Sequence, residues 1–128
     1  MPNSREVIAT KDAPQAIGPY SQAIKAGGFV FVSGQVAINP PTGEIVLGGV
    51  AEQTERVMQN LAAILKAAGS GMEKAVKCGV FLKNMSDFAA MNAVYGKFCT
   101  SAPPARATVE VARLPKDVLV QIDVIALA

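Results

Sequence analysis

The chain has 128 residues, 51% hydrophobic and 17% charged, with 12 Lys and Arg against 10 Asp and Glu for a net charge of +2. That length predicts one domain over 1–128, able to bury a core without disulfide or metal staples. The weak charge and lack of a basic cluster argue against nucleic acid as a partner, and the absence of histidine excludes Ser-His-Asp and Cys-His catalysis and histidine-ligated metals.

The opening residues, MPNSREVIATKDAP, contain no continuous apolar stretch of the kind a secretory signal has. No run approaches the ~18 apolar residues of a membrane span. Cys78 and Cys99 form no CxxC pair. The expectation is a cytoplasmic protein with both thiols reduced and packed as small hydrophobes.

Residues 5–9 and 21–26 read as strands. Gly27-Gly28 then suits a hairpin turn into a third strand at 29–34, because paired glycines tolerate positive φ. NPPTGE, 39–44, reads as a loop. Residues 50–68 predict a helix, with Val57, Leu61, Ile64 and Ala68 at helical spacing and Gly69 placed to end it. A strand at 75–83 follows. Ser86 is placed to cap a second helix carrying the stripe Phe88, Met91, Tyr95 and Phe98. Pro103-Pro104 stops that helix. Strands at 106–113 and 118–127 close the chain, with a turn around LPKD between them.

The order β-β-β-α-β-α-β-β is an α+β pattern, with two helices covering one face of a mixed sheet. Alternation sets Ala105, Ala107, Val109 and Val111 against Arg106, Thr108 and Glu110. The polar set is expected on the face away from the helices, toward solvent or another subunit. Gln121 and Asp123 share one side of the last strand.

Arg106 offers a planar, permanently charged fork suited to a carboxylate. The other reading is a strand-end arginine in water or paired with Glu110. Glu110 and Asp123 are either paired acids or solvated carboxylates. Tyr20 either meets a ligand or packs in its loop. Ser33 and Gly34 present a hydroxyl and a backbone N–H at a strand end, but Ser33 has no base partner in the sequence. Asn92 either orients a ligand or faces water.

Several of these pieces occur together in one family. IGPYSQA (17–23), FVSGQ (31–35), NPPTGE, LKAAGS (65–70), VFLKNMSDFAAMNAVY (80–95) and PPARATVEVARLPKD (103–117) resemble the RidA-type reactive intermediate deaminases over nearly the whole chain. The resemblance implies a chorismate-mutase-like fold assembled as a homotrimer, with clefts between subunits. It implies hydrolysis of small 2-imino acids, or their enamine tautomers, to 2-oxo acids and ammonia, with no cofactor and no metal. By motif position Arg106 clamps the substrate carboxylate, and Tyr20, Ser33, Gly34, Asn92 and Thr108 line the pocket. Many members carry Cys where this chain has Thr108. More consequentially, typical members carry Glu where this chain has Gln121, the position assigned to the attacking water. Gln can orient water but is no ordinary base, so a slower enzyme, or one of shifted substrate preference, is expected. The alternatives are a non-catalytic trimeric module that binds small carboxylates and, against the charge, a ribonuclease or translation inhibitor.

Overall fold

A computed structural model describes residues 4–128, so the leader expectation for residues 1–3 lies outside the described residues. Strand β1 (Glu6–Ile8) pairs antiparallel with β2 (Ala23–Ala26), and β2 with β3 (Phe29–Gln35). Gly27 and Gly28 make that hairpin with φ of 59° and 85°, as the glycine pair requires. The 39–44 loop is real, but β4 (Ile38–Asn39) and β5 (Glu44–Ile45) pinch its ends into a two-stranded hairpin.

Helix α1 (Val50–Ala67) begins where the Glu52 carboxylate accepts the Gly49 N–H at 2.8 Å. It ends in a Schellman turn: Ser70 N–H reaches the Leu65 carbonyl at 2.8 Å and Gly69 takes φ 81°. Val57, Met58, Leu61, Ile64 and Leu65 are fully buried, each worth ~1.5–3 kcal/mol relative to exposure. Strand β6 (Ala75–Leu82) follows, then α2 (Phe88–Phe98), β7 (Ala105–Glu110) and β8 (Val120–Leu127).

The main sheet runs β1-β2-β3-β8-β6-β7. β8 lies antiparallel to both neighbours, while β6 and β7 are parallel, joined by α2. Val30 and Val32, Cys78 and Val80, and Val120, Ile122 and Val124 join the helices in one continuous core. Both helices therefore cover one face, as the α+β reading expected. The other face carries exposed Phe29, Phe31, Val109 and Leu127. Phe29, Phe31 and Leu127 adjoin one another there, and Val109 lies three strands away on β7.

Three expectations need correction. Ser86 does not cap α2: Met85–Asp87 forms a 3-10 turn without a side-chain cap, closed by Asp87 N–H on the Asn84 carbonyl at 3.0 Å. β7 stops at Glu110 rather than at 113, because after Val111 N–H bonds the Leu82 carbonyl at 3.0 Å the chain turns away. Finally, Arg106, Thr108 and Glu110 lie on the helix side of the sheet, not on the open face. In register, Arg106 sits beside Cys78 and Thr108 beside Val80, and those partners face the core. Alternation separated the two sets correctly, but it cannot say which set a helix covers.

Candidate active site

Arg106 is seated by α2. Phe88, Asn92 and Tyr95 recur at spacings of four and three, which stacks them on one helix face. The guanidinium carbon lies 4.8 Å from the Tyr95 ring centre and 5.4 Å from that of Phe88. Both are cation–π distances. Nη1 donates to Asn92 Oδ1 at 2.7 Å. A guanidinium has five N–H donors, so the rings and one amide fix the group while donors remain for a carboxylate. Glu110 is not its partner; that carboxylate accepts the Met85 N–H at 2.8 Å.

Thr108 lies two residues along the same side of β7, and its buried hydroxyl has no hydrogen-bond partner. An unpaired buried hydroxyl costs ~1–3 kcal/mol unless something supplies a partner. The Tyr95 hydroxyl sits beside the thiols of Cys78 and Cys99 without a well-aligned bond to either. Burial, then the thiols, push its pKa far above the usual phenol range. Burial likewise raises both thiols, with Tyr95 and Arg106 opposing. Tyr95, Cys78 and Cys99 are therefore neutral at pH 7, and the cysteines are buried and unbridged as expected.

A second group gathers at β3. Between the pairs Val32–Val124 and Gln35–Ile122 the ladder slips, so Ser33 and Gly34 oppose Asp123 alone, a β-bulge. Ser33 is used structurally: its hydroxyl donates to the Ser21 carbonyl at 2.7 Å. Gly34 has a steric reason, because a Cβ there would stand 2.6 Å from Gln121 Nε2 and 2.9 Å from its Cδ. Beside it opens a cavity of about 270 Å³, lined by Ile17, Tyr20, Gly34, Gln35, Ile38 and Lys116 among others. Asp123 accepts the Gly79 N–H at 3.0 Å and lies on the open face, so it forms no dyad with Glu110.

The two groups do not meet in one chain. Three strand-to-strand steps separate β3 from β7, ~14 Å. Arg106 turns toward the helices, whereas Gln121 alternates with buried Val120 and Ile122 and turns away. Arg106, Asn92 and Thr108 form one group; Tyr20, Ser33, Gly34 and Gln121 form the other.

Some residues were not legible as functional. Phe88 and Tyr95 read as an ordinary apolar stripe, although Phe88 and Tyr95 enclose Asn92 at cation-seat spacing. Buried Gln22 binds the carbonyls of Thr10 and Pro14 at 3.1 and 2.7 Å, fixing a wall of the cavity. Asn60 does the same from α1, donating to the Ile38 carbonyl at 3.0 Å. Lys116 and Asp117 both take left-handed backbone, φ 56° and 54°, which costs ~1–3 kcal/mol per residue in most settings. Buried Leu114, a bond from Asp117 N–H to the Leu114 carbonyl at 3.1 Å and the Arg113–Asp117 ion pair at 3.1 Å hold that turn.

The sequence profile of the family described as Endoribonuclease L-PSP matches residues 10–128. A RutC family protein of Pyrococcus horikoshii is 55% identical over 122 residues, covering 95% of this chain and 97% of its own. Among solved structures, RidA from the Antarctic bacterium Psychrobacter superposes with TM-score 0.92 at 42% identity, over 96% of this chain and 99% of its own. TdcF of E. coli, solved with bound serine, does so with TM-score 0.92 at 42% identity, over 96% and 98%.

Proposed function

This chain belongs to the RidA/RutC family, and from that premise we propose that it hydrolyses small 2-imino acids to 2-oxo acids and ammonia in a site that two copies complete. The reading is carried by Arg106: a guanidinium fixed by two rings and one amide, with donors left for a carboxylate. Its half-site lacks a water-directing group, while the Tyr20–Gly34 cavity, bordered by Lys116, lacks a planar guanidinium fork for the carboxylate. Each supplies what the other needs. The uncovered apolar sheet face favours assembly, and a closed homotrimer would bring the halves of neighbouring copies together.

In the proposed reaction Arg106 of one copy clamps the carboxylate. A water directed by the Gln121 amide oxygen adds through its oxygen to the imine carbon. The C–N bond then breaks, the carbonyl forms, and the water's two hydrogens leave with nitrogen as ammonia. Gln121 accepts a hydrogen bond but takes no proton; positioning can lower the barrier by up to ~7–11 kcal/mol.

The test is release of 2-oxo acid from freshly generated 2-iminobutanoate. Wild type should accelerate it. Arg106→Ala should lose ~10²-fold or more in kcat/KM, and Arg106→Lys should recover little, because Lys lacks the planar fork. Arg106→Ala working as fast as wild type would refute the clamp. The neutral Gln121 favours one other reading, a module that binds small carboxylates without turnover. Binding of 2-oxobutanoate with no acceleration would decide for it.

A further inference from the structure

We propose that Lys116 is a second carboxylate-reading cation, so that the ligand class includes small dicarboxylic 2-oxo and 2-imino acids. For its catalytic part this rests on the composite-site reading above. Lys116 is the only charged residue, among the described residues, lining the Tyr20–Gly34 cavity. Among the described residues, no carboxylate lines that cavity or the hollow around Arg106. Gln121, which reaches Gly34 at the cavity, is neutral.

The acid nearest Lys116 in sequence is already engaged. Asp117 Oδ1 takes Arg113 Nε at 3.1 Å and its other oxygen lies 3.5 Å from Nη2. Lys116 therefore stays uncompensated by its neighbour, on backbone that lysine adopts only when the surroundings impose it. Strain at an exposed residue gains nothing for the core, because the buried anchor of the turn is Leu114. What it achieves is placement of Lys116 at the wall of a cavity small enough for a metabolite rather than a drug-sized ligand. A monocarboxylate on Arg106 leaves that ammonium without a partner. A diacid satisfies both cations, and no lining acid repels its second charge. Two-electron oxidation of acidic α-amino acids at the Cα–N bond is the reaction class that would supply such imines.

Calorimetric titration with 2-oxoglutarate and 2-oxobutanoate tests the assignment in wild type, Lys116→Asn and Lys116→Arg. Asn tolerates left-handed backbone, so it removes the charge without adding strain. Wild type should bind 2-oxoglutarate about tenfold more tightly than 2-oxobutanoate, the scale of one charge-assisted hydrogen bond. Lys116→Asn should abolish that advantage with 2-oxobutanoate binding within about twofold of wild type, and Lys116→Arg should keep it. Equal wild-type affinities, or equal weakening of both acids in Lys116→Asn, would overturn the proposal. Parallel turnover of 2-iminobutanoate and 2-iminoglutarate separates the two readings. Diacid-selective binding without any turnover sinks the deaminase and keeps the Lys116 assignment; turnover of 2-iminobutanoate with no diacid preference sinks the Lys116 assignment alone.

Discussion

Gly34→Ala probes the half-site that carries Gln121. The new methyl would stand 2.6 Å from Gln121 Nε2, 2.9 Å from Cδ and 3.1 Å from Cγ. Ordinary carbon contacts lie at about 3.5–4.0 Å, so the amide must retreat by about 1 Å. Backbone conformation is no obstacle, since Gly34 is not among the positive-φ glycines. The amide end is flexible and faces the open side of the sheet, so the stability cost should stay below ~1 kcal/mol, at the low end for overpacking. Activity is more sensitive, because a misplacement of 1 Å can cost about 10²-fold. The expected result is kcat down about 10²-fold on 2-iminobutanoate, with a melting shift of only a few degrees. Repeating the change in Gln121→Ala distinguishes the cause, since there the methyl meets no amide and should cost little more. Wild-type turnover in Gly34→Ala, or an equal further loss in the double variant, would refute the role given to Gln121.

Other outcomes follow from the buried groups and the open face. Tyr95→Phe removes a hydroxyl that lacks a well-aligned partner, so thermal unfolding should show no loss, or a gain of up to ~1 kcal/mol, with Arg106 still on its ring. Alkaline pH should destabilise the fold. Cys78, Cys99 and Tyr95 have raised folded-state pKa values, so the unfolded chain releases those protons first, and stability present below about pH 8.5 falls as pH rises further. Melting curves from pH 7.5 to 10.5 check this, and Cys78→Ala with Cys99→Ala should flatten the first part of the fall. Phe31→Glu, at an exposed ring 6.2 Å from Phe29 on the open face, should dissociate the proposed homotrimer in sedimentation and abolish turnover together; a folded, active, fully assembled variant would refute the composite site.

Most of the elements were legible because their signals are local. The stripe of Val57, Leu61 and Ile64 and the stop at Gly69 define α1 to within one residue, and the glycine pair defines the first hairpin. Where the sequence misled, a non-local fact decided. Ser86 has a capping side chain, but the chain enters α2 through a 3-10 turn that leaves no cap geometry. The segment after Glu110 keeps a strand-like composition, but it runs past the end of β6 and has no further ladder to join.

The sequence by itself determined which side chains could do chemistry: no histidine, one arginine entering a strand behind two prolines, and a neutral glutamine on the last strand. Only the tertiary structure decided where they point. Strand alternation is a two-fold pattern without an absolute sign, and the sign came from the parallel pairing of Arg106 with Cys78 beneath α2. That pairing converts Phe88, Asn92 and Tyr95 from a helix stripe into a seat for the guanidinium. The insertion of β8 between β3 and β6 then holds Gly34 and Gln121 strands away from it. Arg106 and Gly34, 72 apart in sequence, stay two intervening strands apart within one chain, which is why the proposed site draws on two copies.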